Sequence, residues 1–229
     1  MNGRRSGLTR AEILDGAVAL ADEVGLDAFT MRRLADALDT KPMTIYHHVP
    51  SKDDILSGMV DTVFEEIALP PTDLPWTEAI RVRCVSARGA LNRHWWAAPL
   101  MESQTAPGDP TLRHHDAVLA CLRRGGLSWQ LTAHAYAVLD SYVYGFAFEE
   151  ANLPAQGGEG LSGVAEDMVV AFSPEDYPHL VAFTTEHVMR TGYSFGTSFE
   201  FGLDLIIDGL EAAAGRERAS GEKGDSGPV

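Results

Sequence analysis

The stretch Phe29-Thr30-Met31-Arg32-Arg33-Leu34-Ala35-Asp36-Ala37-Leu38-Asp39-Thr40-Lys41-Pro42-Met43-Thr44-Ile45-Tyr46-His47-His48-Val49 decides how this chain is read. Thr30 can cap a short helix whose inward face is Leu34, Ala35 and Leu38. Asp39-Thr40 then makes a tight turn, and Pro42 suits the first position of a next helix, where a missing N–H costs no intrahelical bond. That helix runs from Pro42 to about His48, and Pro50 stops it. Ile45 and Val49 face inward, which leaves Met43, Thr44, His47 and His48 on the outer side.

The flanks continue the helical pattern. Upstream, Thr9 and Glu12 form a capping box, after which Ile13, Ala17, Leu20 and Val24 recur at steps of three or four until Gly25. Downstream, Ser51 and Asp54 mark another start, and Ile55, Met59, Val63 and Ile67 rise at four-residue steps toward Pro70-Pro71. This predicts a helix over 52–68. Beyond Trp76, helices are expected near 76–94, 97–104, 109–125, 128–151, 162–171, 174–191 and 195–214, with no strand signal. The fold class is all-α. Residues 1–8 read as a flexible arm, Pro154 to Gly163 as a Gly-rich loop, and 215–229 as a disordered tail with almost no apolar residue.

Composition excludes several classes of function. With 229 residues, 45% hydrophobic and 22% charged, the chain is globular. Its longest apolar run, Trp95 to Met101, is far short of the roughly 20 residues of a membrane span. No secretory signal is visible, which predicts a cytoplasmic protein without a membrane partner. Cys84 and Cys121 alone make neither a disulfide framework nor a zinc site, and no cofactor is expected. The net charge of −15 speaks against nucleic acid until it is divided along the chain. Residues 1–56 hold seven basic and nine acidic side chains, net −2, against 11 and 24, net −13, for 57–229. Ala28 to Ala35 and Thr40 to Lys52 contain Arg32, Arg33, Lys41 and Lys52 and no carboxylate. A basic face on an acidic protein follows.

Two short helices joined by a tight turn and preceded by a packing helix are the arrangement of a helix-turn-helix unit, whose second helix enters the major groove of DNA. On that reading Met43, Thr44, His47 and His48 meet base edges, Tyr46 and Lys52 reach phosphates, and Arg32 reaches a guanine edge with its two-pronged donors. A plain three-helix packing module would show the same pattern, so pattern alone leaves both readings open.

The residues themselves go further. Phe29 to Leu38, Thr44-Ile45-Tyr46-His47-His48-Val49 and Ser51-Lys52-Asp53-Asp54-Ile55-Leu56 resemble the DNA-binding signature of the tetracycline-repressor (TetR) family over about 45 residues without a gap. The resemblance implies that Thr30, Arg32, Thr44, Tyr46, His48 and Lys52 meet an operator, the tyrosine and lysine mostly on phosphates. Two positions depart from the family pattern. Asp39 stands where glycine is common, which the turn tolerates because Asp enters the left-handed region. Lys41 stands where serine often caps the reading helix; it cannot cap, but it adds a phosphate donor.

Leu74-Pro75-Trp76, Arg93 to Leu100, Gly126-Leu127-Ser128, Tyr142 to Phe146 and Phe199 to Leu203 are similar to the family's ligand-binding domain, nearest the tetracycline repressors. Those repressors hold a magnesium-drug chelate through two histidines; the matching positions here are Ala68 and Met101, neither of which ligates Mg²⁺. Glu149 falls where the chelate site has a glutamate, but alone it reads as a solvated or dimer-facing group. The resemblance therefore implies a small, largely apolar or aromatic inducer bound without metal. Helical faces nominate Trp95, Trp96, Met101, His114, Tyr136, Tyr142 and Phe146 as its contacts. The domains expected are 9–56 for DNA and 57–214 for ligand and dimer, bridged by the helix 52–68. The helices at 128–151 and 195–214, long, apolar and interrupted by Gly145, Gly202 and Gly209, would pair with their copies in a homodimer. The resemblance implies a repressor that binds a pseudo-palindromic operator and is released by its ligand. Two rivals remain: a regulator of the same fold controlled by a protein partner or by no ligand, and a hydrolase using Ser194 of Gly192-Tyr193-Ser194-Phe195-Gly196, which needs a strand before the serine.

Overall fold

A computed structural model describes residues 8–104, 106–153 and 173–224, with side chains as far as 219. Among these residues every regular element is helical. The first part comprises α1 (Arg10–Val24), α2 (Met31–Ala37), α3 (Pro42–Tyr46), α4 (Lys52–Glu66), α5 (Trp76–Arg93), α6 (Ala97–Ser103) and α7 (Asp109–Arg124). Then come α8 (Trp129–Asn152), α9 (Pro178–Phe183) and α10 (Ser198–Gly224). The chain packs as two units, one ending at Tyr136 and the other starting at Ala137. The packing does not part near residue 56, because α4 lies against α1 on one side and against α5, α6 and α7 on the other.

The starts of the first helices are chemical. The Thr9 hydroxyl accepts from the Glu12 amide at 3.2 Å while the Glu12 carboxylate accepts from the Thr9 amide at 2.8 Å, a complete capping box. Thr30 accepts from the Arg33 amide at 3.2 Å and Ser51 from the Asp54 amide at 3.1 Å. Each bond satisfies an amide that would otherwise lack an intrahelical partner. Lys41 supplies no such bond to α3. Asp39 has φ 47°, the left-handed conformation the turn requires.

Ile13, Ala17, Leu34, Ala35, Ile45, Val49 and Ile55 are buried together in the head, and α4 carries a continuous stripe of Ile55, Met59, Val60, Val63 and Phe64 into the helices that follow. Burying such side chains contributes about 1.5 to 3 kcal/mol each. Helix α3 has five residues, a length that cannot persist alone in water, and it rests on α2.

Several ends differ from the sequence expectation. Helix α4 stops at Glu66 rather than 68; Ile67 turns extended, and the Ala68 amide bonds to the Ser86 hydroxyl at 2.9 Å. Pro70 already biases the preceding residue away from helix. The expected helix over 174–191 is only α9, followed by a wide π-helical turn at Thr184–Val188, where Thr184 and Thr185 hydroxyls donate to the Leu180 and Val181 carbonyls at 2.9 Å. Such back-bonding loosens a helix. Helix α10 continues to Gly224, past residue 214, where composition predicts a disordered tail. Ala212, Ala213 and Ala214 are strong helix formers, and adding a turn to an existing helix is cheap compared with starting one. Residues 1–7 of the expected 1–8 arm, the loop at 154–163 and the helix at 162–171 lie outside the described residues.

In the second unit, Tyr142, Phe146, Phe195 and Phe199 form a ring cluster with centroids 4.7 to 5.8 Å apart. The Tyr142 hydroxyl donates to the Phe199 carbonyl at 2.9 Å, and a Cβ at Gly202 would come within 2.2 Å of that hydroxyl. Glycine at 202 is therefore needed inside the chain. No helix is long and apolar enough to cross a membrane among the described residues.

Candidate nucleic-acid interface and ligand site

Helix α3 is held by Ile45 and Val49, both fully buried, so its other side is fixed outward. Met43 is 66% exposed, Tyr46, His47 and His48 are exposed, and Thr44 is half-buried at the edge. Thr30, Arg32 and Lys41 are exposed beside them, and Arg32 and Lys41 make no hydrogen bond or ion pair among the described residues. Lys52 is exposed at the start of α4, its ammonium 3.5 Å from the Phe29 carbonyl and 5.8 Å above the Phe29 ring. All nine predicted DNA-contacting residues lie between the start of α2 and the start of α4, eight of them exposed and Thr44 half-buried. Cationic forks, imidazoles, a phenol and an apolar Met tip are the groups that read phosphates, purine edges and thymine methyls.

Of the seven predicted ligand contacts, Trp95, Trp96, Met101, His114 and Tyr136 lie in the first unit and Tyr142 and Phe146 in the second. The Trp96 indole is 2% exposed and donates to Asp22 at the end of α1 at 2.6 Å, which satisfies a buried N–H that has no use as an acceptor. Trp95 is half exposed and its ring lies over Gly25. Both tryptophans therefore pack on the head. Met101 is half-buried on α6. Tyr142 and Phe146 are committed to the ring cluster of the second unit. His114 and Tyr136 remain, joined by residues that sequence reasoning missed.

His114 is fully buried, and its Nε2 accepts from the Arg83 Nε at 3.0 Å. Arginine can only donate, so His114 is the neutral tautomer with its proton on Nδ1. Burial, then the Arg83 charge, then His115 push its pKa down to about 3. Its Nδ1–H, buried, meets no acceptor among the described residues. The Phe64 ring lies 5.1 Å from His114 and 5.2 Å from His115, and the Tyr136 hydroxyl bonds to His115 Nδ1. Arg83, 1% exposed, sits on the α5 face otherwise made of Ala79, Ile80, Cys84 and Ala87. A cation at an apolar register was the signal that could have found it. A half-open cleft of about 280 Å³ lies elsewhere, between α4 and α6, lined by Leu56, Ser57, Val60, Leu100 and Gln104.

Other motifs lose their chemistry. Ser194 follows a π-helical turn and a glycine turn, and opens a short 3-10 turn, so no strand-to-helix elbow forms. Ala68 is exposed and distant in kind from a ligand, and no group of three His, Cys, Asp or Glu residues is placed to hold a metal among the described residues.

A helix-turn-helix head with an outward basic face, carried by a larger helical domain with a buried polar cluster, defines a DNA-binding transcriptional regulator. The profile of bacterial regulatory proteins of the tetR family matches residues 13–59, and that of the tetracyclin repressor-like C-terminal domain matches 69–214. The chain belongs to the TetR family. It is 31% identical to an HTH-type transcriptional regulator of Saccharopolyspora erythraea, covering 92% of this chain and 87% of the relative. It is 29% identical to the HTH-type transcriptional repressor DrrR1 of Streptomyces coeruleorubidus, covering 99% and 84%. Among solved structures, ActR of Streptomyces coelicolor in complex with actinorhodin aligns with a TM-score of 0.74 at 28% identity, covering 92% of this chain and all of ActR. The first two of these relatives are named as transcriptional regulators.

Proposed function

We propose that the chain is a homodimeric, ligand-released repressor whose reading helix is α3. The observation that carries this is the outward α3 face, where Met43, Thr44, His47 and His48 stand beside Arg32, Lys41 and Lys52 on an otherwise acidic protein. The sign is supported by DrrR1, named as a repressor, and the small-molecule control by ActR, solved with actinorhodin bound. The dimer forms through α8 and α10, which expose Val138, Phe148, Phe201 and Leu205, between 47% and 69% of each. A Cβ at Gly145 or Gly209 would meet nothing among the described residues, so both leave room for a partner helix, unlike Gly202. The inducer is a largely aromatic molecule with a hydrogen-bond acceptor that takes the Nδ1–H of His114, against Phe64 and near Tyr136. Selection from random duplex DNA tests the reading: it should return a two-fold symmetric site bound much more tightly than bulk DNA, with half-sites about 34 to 36 Å apart. Equal binding to selected and random DNA would overturn it.

A further inference from the structure

The connector between α5 and α6 ties the far ends of two helices together. His94, 7% exposed at the end of α5, places Nδ1 at 2.8 Å from the Asp22 carboxylate on α1 and Nε2 at 3.0 Å from the Glu66 carboxylate at the end of α4. The same Asp22 oxygen accepts from the Trp96 indole at 2.6 Å. Arg93 binds the other Glu66 oxygen through Nε at 3.1 Å and Nη2 at 2.6 Å. Partial burial pushes the Glu66 carboxyl up, but hydrogen bonds and charges from Arg93 and His94 outweigh it and hold it below the ordinary value. Carboxylates only accept, so in this joint it is the imidazole that donates, as the indole and the guanidinium do. Trp95 adds a mechanical stop: its ring covers Gly25, the residue that ends α1 with φ 72°, and a Cβ there would meet the ring at 2.7 Å.

Resting on the reading of the chain as a two-headed repressor, we propose that the Asp22–His94–Glu66 joint sets the angle of the reading head. Helix α1 packs on α2 and α4, so its C-terminal end is the head's lever, and the α5–α6 connector grips that end. Glu66 ends the one long helix that runs from Lys52, at the DNA face, back to the same connector. His94 and Asp22 are positioning residues: neither faces DNA, and they act through where α1 and α4 point. A change in α5 or α6, which carry Arg83 and Met101, reaches the head through these contacts.

The test uses the full-length protein, the full operator selected from random DNA, and a duplex carrying one half-site. His94→Leu and the shape-keeping pair Asp22→Asn and His94→Gln are compared with wild type well below their unfolding midpoints. A joint that sets head angle predicts full-site affinity weakened about tenfold, within the usual range of coupling, and half-site affinity unchanged, because each head still reads its own groove. Equal loss on both duplexes would assign the joint to the internal fold of the head and overturn the proposal. Lower thermal stability with neither affinity changed would overturn it too. If His94→Leu does not fold, the two conservative variants carry the same comparison. A wild type that prefers neither duplex over the other refutes the two-headed reading, and the joint with it.

Discussion

Substituting His114→Gln should flatten the acid side of the stability profile. Gln keeps an acceptor for the Arg83 Nε and does not titrate, so the two proteins differ in one proton. His114 is fully buried beside a guanidinium, and its folded-state pKa is pushed down to about 3 against an ordinary value of 6.5. The unfolded chain therefore takes up a proton below pH 6.5 that the folded chain refuses until far lower pH, and stability falls as pH falls. Each full pH unit in that window costs about 1.4 kcal/mol. Between pH 7.5 and 5.0 the histidine accounts for a loss of about 2 kcal/mol, allowing for partial protonation of the unfolded state near 6.5. Urea unfolding at both pH values measures it: wild type should lose about 2 kcal/mol more than His114→Gln. The other seven histidines are common to both proteins and cancel. Equal losses would show that His114 is charged when folded or exposed to water, and the buried donor offered to the inducer would disappear with it.

The reading head separates two kinds of contact. Lys52→Ala should weaken binding to all DNA sequences alike and reduce the salt-dependence slope by about one, whereas Arg32→Ala should relax preference at one base pair per half-site at about 1 to 3 kcal/mol; competition assays with selected and random duplexes distinguish them. Phe201→Glu should dissociate the dimer, seen as a halved mass in sedimentation, because Phe201 is 69% exposed on α10 and a carboxylate there would be buried in the pairing face. Gly25→Ala should destabilise by about 1 to 3 kcal/mol, read in urea, because φ 72° with ψ 170° is a glycine conformation and the added Cβ meets Trp95.

Local chemistry was legible in the sequence and long-range chemistry was not. Thr9 with Glu12, Thr30, Ser51 and Pro42 announce helix starts because a cap bonds its own first turn, so two or three residues hold the whole signal. The outward set of α3 was readable for a related reason: Ile45 and Val49 fix one face, and the rest follows by periodicity. The ligand contacts were nominated by the same periodicity, which says less, because an aromatic on an apolar face has several homes. Trp96 chose Asp22, 74 positions away, since its buried N–H demanded an acceptor. Tyr142 chose the Phe199 carbonyl across the second unit. Arg83 broke the α5 stripe in plain view, and its meaning depended on His114, which no spacing within α5 can indicate.

The short reading helix explains why control can be exerted from so far away. With five residues α3 has no stability of its own, and its direction is whatever Ile45 and Val49 inherit from the α1–α4 core. That core is not private to the head, because α4 lies on α5, α6 and α7 as well. A ligand that repositions Phe64 or Arg83 therefore acts on the scaffold that aims α3. Lowering operator affinity tenfold to a hundredfold needs only about 1.4 to 2.7 kcal/mol of difference between two states, less than the contribution of one or two buried side chains of the α4 stripe. The coupling is reciprocal, so saturating operator must weaken the inducer by the same factor. Val63, fully buried in the middle of that stripe, is where the two demands meet. Val63→Ala should change the ratio of inducer affinities with and without operator while leaving inducer-free operator binding less affected, and an unchanged ratio in calorimetry would show that the signal does not travel through α4.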